Sequence, residues 1–438
     1  MKKIVIAWIM VCMALAGCYN ASESRENVLK VYNWADYIGE GVLDDFCAYY
    51  KEQTGEDIRI VYQTFDINEI MLTKIEKGHE DFDVVCPSEY IIERMFRRGL
   101  LLPIDTVFAR SPNYMKGVAP YIRAQLNRLG TAERPVSRYA VCYMWGTAGL
   151  LYNTAYVSAE EMSTWGCLWD KRYAGKILMK DSYRDAYGTA LLYAHRKELA
   201  EGKATVPGLM NDYSPAAMDT VEKYLKLLKP NVAGWEADFG KEMMTKGKAW
   251  INMTWSGDAQ WAIEEARTVG VELAYRVPRE GSNIWYDGWV IPKYAKNRKA
   301  ASYFINFLCR PDIALRNMEA TGYVCSIASP EIMEASIDST LSEGVDASYF
   351  FGPEATDVKL RPTQYPDRSV VERCSMIRDF GDKTVDVLEI WSRVKGDNLN
   401  SGIVILILIV IALLSAWQVR RRWLRWKRKR TSRRRRRR

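Results

Sequence analysis

From Val28 to Arg98 the hydrophobic period switches repeatedly between that of a strand and that of a helix, which narrows the possible folds more than any other feature of this chain. Val28 to Trp34 alternates as a strand does. Val42, Leu43, Phe46, Cys47 and Tyr50 then mark one face of a helix that Gly55 closes. Ile58 to Phe65 reads as a second strand, Asn68 as the cap of a helix running to Gly78, and Phe82 to Cys86 as a short apolar strand. Pro87 and Ser88 follow, and then a helical pattern to Arg98. Strand and helix in strict alternation predict an α/β fold with a parallel sheet. In such sheets ligands bind beyond the carboxyl ends of the strands, where Trp34 to Tyr37 and Ser88 to Tyr90 fall.

The two ends of the chain read differently from its body. Lys2 and Lys3 precede an apolar run from Ile4 to Gly17, which is the pattern of a secretory signal and is too short for a span. The run closes on Leu15-Ala16-Gly17-Cys18, so residues 1–17 are expected to be a lipoprotein signal and Cys18 the lipidated residue, with 18–27 a linker. Gly402 to Val419 is almost wholly apolar. As a helix it would be about 27 Å long, close to the roughly 30 Å hydrocarbon core, so 402–419 is expected to cross a membrane. Trp417, Trp423 and Trp426 suit the interface, and the basic tail 420–438 belongs in the cytoplasm by the positive-inside rule. Joined directly to an apolar helix, that tail fits anionic headgroups better than nucleic acid. The whole chain is +8, but tail and signal hold 16 positive charges between them, leaving the body at −8. An acidic body gently favours cationic ligands.

The body lacks the common catalytic signatures. His79 and His195 are its only histidines, both in charged helical surroundings, and HExxH, GxSxG and P-loop motifs are missing. No catalytic residue, metal site or cofactor is expected. Seven cysteines (Cys47, Cys86, Cys142, Cys167, Cys309, Cys325 and Cys374) are scattered without a CxxC pair and read mostly as small buried hydrophobes. Aromatic residues beside carboxylates are abundant instead: Trp34 with Asp36 and Tyr37, Trp255 with Asp258, and Trp285 with Tyr286 and Asp287. An ammonium group removed from water needs a carboxylate to balance it, and a ring face adds about 0.5–2 kcal/mol of cation–π attraction.

At these residues the chain resembles the spermidine/putrescine-binding receptors of bacterial ABC transporters. The resemblance runs from about Val28 to Lys395. It is carried by Tyr32-Asn33-Trp34-Ala35-Asp36-Tyr37, Asp81 through Tyr90, Trp165 through Lys176, Asp181-Ser182-Tyr183-Arg184-Asp185, Trp255-Ser256-Gly257-Asp258, Ser282 through Gly288, and Gly322-Tyr323. Each motif is short; their order and spacing make the match specific.

The resemblance implies a two-lobed periplasmic-binding fold with two hinge crossings and a cleft that closes on its ligand. Lobe one would comprise 28–146 and 287–330, lobe two 147–286 and 331–398. It implies that Trp34, Tyr37, Trp255 and Trp285 box an aliphatic chain, with Tyr323 in the cleft and Ser88 and Tyr90 on a polar edge. Asp287 would grip an ammonium, Asp185 and Asp258 would add acidic positions, and Asp36 would stand at the cleft mouth. The implied ligand is putrescine or spermidine, and the implied partners are an ABC permease and ATPase at the cytoplasmic membrane. Asp258 matches putrescine-type relatives, and Ser182 replaces an aspartate of spermidine-type ones. Asp181 is only one place away, so the choice of ligand stays open. A sensor on the same fold and an envelope glycosidase with paired carboxylates are the alternative readings.

Overall fold

The computed structural model describes residues 25–237 and 239–396. The alternation over the first seventy residues appears as β1 (Val28–Trp34), helix Val42–Thr54, β2 (Arg59–Phe65), helix Asn68–Glu76, β3 (Val84–Val85) and helix Glu89–Arg97. Gly55 ends the first helix in the left-handed conformation, φ 78°, and its N–H bonds the Lys51 carbonyl. One local expectation fails. Asn68 is the first helical residue and not a cap; its buried amide reaches across to Ser88 and Tyr90 instead.

β4 (Leu101–Leu102), β5 (Ala140–Asn153), β6 (Ile177–Lys180), β7 (Val232–Glu236) and β8 (Ile251–Trp255) follow. β9 (Leu273–Arg276), β10 (Ser282–Pro292), β11 (Val324–Cys325) and β12 (Cys374–Ser375) complete the strands of the described residues. Their main order is β2-β1-β3-β10-β5-β8-β6-β7. β1 pairs in parallel with β2 and β3, and β6 in parallel with β7 and β8, so two parallel halves face each other. The long strands β5 and β10, buried at every position, run antiparallel between them. β5 pairs with β10 up to Thr147 and with β8 from Ala148 onward, so it hands over from one half to the other between two adjacent residues.

Each half has its own core. The larger one gathers Leu29, Phe46, Val84, Ile91, Tyr286 and Phe304 among many others. A smaller one packs Leu151, Leu178, Met244, Ile263 and Leu273. Residues 331–371, assigned from the sequence to the second lobe, place Ile332, Phe350, Leu360 and Tyr365 in the larger core, where Phe350 stacks on Trp145. The apolar contacts of this stretch are therefore with the first half. The seven cysteines are free thiols, and five of them are buried.

The described residues up to Asp382 belong to one unit, and the helix Thr384–Gly396 belongs to the next. No helix of the described residues is long and apolar enough to cross a membrane. The expected signal with Cys18, the span at 402–419 and the basic tail lie outside the described residues.

Candidate functional site

Strand ends bring the chemistry together. β10 carries Trp285 and Asp287 into the junction of the two halves, where a register shift after Asp287 opens the ladder. Ser88, just beyond β3, bridges to Asp287, and the Gly288 N–H bonds the Pro87 carbonyl. The Asp287 carboxylate is 8% exposed, yet its partners are two hydroxyls: Tyr37 Oη donates to Oδ2 at 3.0 Å, and Ser88 supplies the other bond. It has no cationic partner among the described residues. Burial pushes its pKa up to about 6, against which the two hydroxyls act. Glu89 lies close by and accepts from the Tyr286 N–H at 3.0 Å; burial raises it to about 8, with Asp287 adding to the rise.

Three rings run in contact from this carboxylate. Tyr37 meets Tyr323 edge-on at 5.8 Å between centroids, and Tyr323 meets Trp285 edge-on at 5.2 Å. Tyr37 is held from behind by Tyr143, whose hydroxyl donates to the Tyr37 carbonyl. Room for Tyr323 comes from Gly257, because a Cβ there would lie 2.1 Å from the ring. The indole N–H groups of Trp34 and Trp285 are buried without a hydrogen-bond partner in the described protein.

The second half supplies two further carboxylates in different states. Asp185, in the first turn of helix Tyr183–Ala194, is 4% exposed and accepts from Ser182 Oγ at 2.7 Å, Trp255 Nε1 at 3.1 Å and Asn283 Nδ2 at 2.8 Å. All three donors are neutral, and the Asn283 carbonyl oxygen is itself buried without a partner. Asp258 is different: Lys180 Nζ donates to its Oδ2 at 2.6 Å, and Lys241 Nζ lies 3.5 Å from its Oδ1. Tyr323 also bonds Asp258, which links the two ends of the site.

The remaining expected residues divide. Trp34, at the end of β1, tilts against Phe65 at 4.5 Å. Tyr90 bonds Asn68, but the Arg184 guanidinium stacks 3.5 Å from its ring centroid, so that face is taken by the chain's own cation. Asp36 sits in a left-handed turn, φ 51°, with an exposed side chain and no hydrogen bond or ion pair among the described residues. Asp181 is exposed too, while Ser182 caps the helix and feeds Asp185.

Across the junction the halves are also held by charge. Tyr183 Oη donates to Glu69 at 2.6 Å, Arg378 pairs with Glu93 at 2.6 Å, and Arg94 pairs with Asp379. Lys180, Glu89 and Arg184 are not among the residues expected from the sequence, although Glu89 falls within Asp81 to Tyr90 and Arg184 within Asp181 to Asp185. Position at a strand's carboxyl end was the available signal for Lys180, the last residue of β6. Among the described residues no cluster of three or more metal-ligating side chains is present.

This architecture is similar to known proteins over most of its length. The chain is 28% identical over 385 residues to the spermidine/putrescine-binding periplasmic protein of Salmonella typhimurium, covering 87% of this chain and 96% of that one. It is 28% identical over 302 residues to the putrescine-binding periplasmic protein of Escherichia coli, covering 66% and 75%. Among solved structures, the spermidine/putrescine ABC transporter substrate-binding protein of Streptococcus pneumoniae superposes with a TM-score of 0.62 at 30% identity, covering 84% and 98%. A putative spermidine/putrescine ABC transporter from Listeria monocytogenes gives 0.65 at 28%, covering 84% and 99%. The model of the family described as bacterial extracellular solute-binding protein matches residues 45–334. The chain therefore belongs to the bacterial extracellular solute-binding protein family, and it is a binding protein and not an enzyme.

Proposed function

We propose that this protein captures a linear amine of the putrescine–spermidine class outside the cytoplasm and delivers it to an ABC permease and its ATPase. Asp287 carries the reading: it is a buried carboxylate with hydroxyl partners only, set among the rings of Tyr37, Trp285 and Tyr323. An ammonium group is the complement of such a site, because it supplies the missing charge and up to three donors. Methylene groups next to it suit the ring faces, which are apolar and mildly attractive to cations. Asp185, with the unpartnered Asn283 carbonyl beside it, offers a second acceptor set for the other end of the molecule. The names of the relatives point the same way. Ligand binding would favour the closed arrangement held by Glu69, Glu93 and their partners.

The same reading gives the protein two attachments to the cytoplasmic membrane, a lipid on Cys18 and a span at 402–419, which would keep it beside its permease. Calorimetric titration of the full chain in detergent with a diamine and polyamine series tests the function. Saturable one-to-one binding is expected, and silence with every member contradicts it. Membrane fractionation of Cys18→Ala, of a chain ending before 402, and of both together tests the anchors; only the combined variant is expected in the soluble fraction.

A further inference from the structure

Lys180 ends β6 beneath the aromatic site and is 3% exposed. Its ammonium has the surroundings a ligand ammonium would need. Asp258 Oδ2 is 2.6 Å away, Glu236 Oε1 is 3.6 Å away, and the Trp255 ring centroid lies at 4.6 Å. Two carboxylates and an indole face are the groups that compensate a cation for its lost water. The shell is anchored on all sides. Glu236 also accepts from Gly240 N and Asn252 Nδ2, and Trp255 is fixed through its N–H to Asp185. Asp258 sits in the first turn of helix Ser256–Thr268, bonds Tyr323 and pairs its second oxygen with Lys241. Among the described residues, Lys180 and Lys241 stand against Asp258 and Glu236, two charges of each sign. The Asp287 and Asp185 carboxylates, by contrast, have only neutral donors.

We infer that Lys180 is a built-in ammonium filling a cation position at the Asp258–Trp255 end, and that it restricts the ligand class to amines with two cationic groups. The inference rests on the polyamine reading above and narrows it. A triamine would bring one ammonium more than the open carboxylates can take. That extra group would have to displace a buried lysine or share its shell at the cost of like-charge repulsion. Lys180 is thus a specificity residue that acts by exclusion.

The test is calorimetric titration of the full chain in detergent with putrescine and with spermidine, in the wild type, Lys180→Met and Lys180→Arg. The wild type is expected to bind putrescine at least tenfold more tightly than spermidine. Lys180→Met, which takes the built-in ammonium away from Asp258 and Glu236, should shift that ratio at least tenfold toward spermidine, and Lys180→Arg should keep it. Should Lys180→Met fail to fold in a thermal melt, the charge-balanced double variant Lys180→Met/Asp258→Asn decides together with the wild-type ratio: it should retain the preference for putrescine. Equal or tighter spermidine binding by the wild type overturns the inference while leaving the polyamine reading intact. So does an unchanged ratio in a folded Lys180→Met. Binding of neither amine by the wild type overturns both.

Discussion

Asp287 and Asp258 stand at opposite ends of one aromatic connection, and they differ in what already neutralises them. Tyr323 touches both ends: its ring packs edge-on to Tyr37, which donates to Asp287, and it bonds Asp258. Asp287 has two hydroxyl partners and a carboxyl pushed up to about 6 by burial. Asp258 has two lysines. A carboxylate that the protein has already paired adds little pull for a ligand cation. One left buried with only neutral donors is held at a cost to the free protein that a ligand can relieve. Residue type alone therefore does not identify an ammonium subsite. The second partner does.

Breaking the link between the two ends should have the largest effect. In Gly257→Ala the new methyl group would meet the Tyr323 ring, and overpacking of this kind costs about 3 kcal/mol at its upper range. A lowered melting temperature together with weakened amine binding is expected; unchanged values would separate Tyr323 from the site. Next comes pH. If the ionised form of Asp287 is the one that binds the ammonium, a carboxyl at about 6 makes affinity fall about fivefold between pH 6 and pH 5, or about 1 kcal/mol. An affinity flat across that range would remove Asp287 from the contact.

The same shift has a consequence for the ligand-free fold, with the sign set by linkage. A carboxyl raised from 3.8 to about 6 gives stability that is present below pH 4 and lost as pH rises through 6. Glu89, raised to about 8, extends that loss upward. Melting temperatures measured from pH 4 to 7 without ligand should therefore include a falling contribution that Asp287→Asn removes. A smaller perturbation is Tyr37→Phe, which deletes one donor to Asp287; binding should weaken by about 1 kcal/mol. Asp36→Asn should matter least, less than about twofold, because an exposed and screened charge contributes little.

How much of this could be read in advance depends on where the partners lie in the chain. The helices Val42–Thr54 and Asn68–Glu76 were legible because one face of each is buried, which imprints a period on the sequence. β5 carries no such imprint: all fourteen of its residues are buried, so apolar and polar positions do not alternate. The site followed the same rule. Trp285 and Asp287 lie on one strand, so their adjacency could be read from the sequence. Asp36 is also adjacent to its aromatics, and a left-handed turn carries it into solvent, apart from the buried carboxylates. Lys180 is 78 residues from Asp258, a pairing made only by the parallel register of β6 and β8, and no local pattern announces it. The packing of residues 331–371 is equally silent in the sequence, because Phe350 finds Trp145 only in tertiary packing.

The central claim is that a ligand ammonium is held at Asp287. Titrating the wild type and Asp287→Asn with putrescine at pH 7.5 tests it most directly, since the substitution keeps the shape of the side chain and removes its charge. The account predicts saturable one-to-one binding in the wild type, weakened by about 2 kcal/mol, roughly thirtyfold, in the variant. Equal affinity in the two proteins would contradict it.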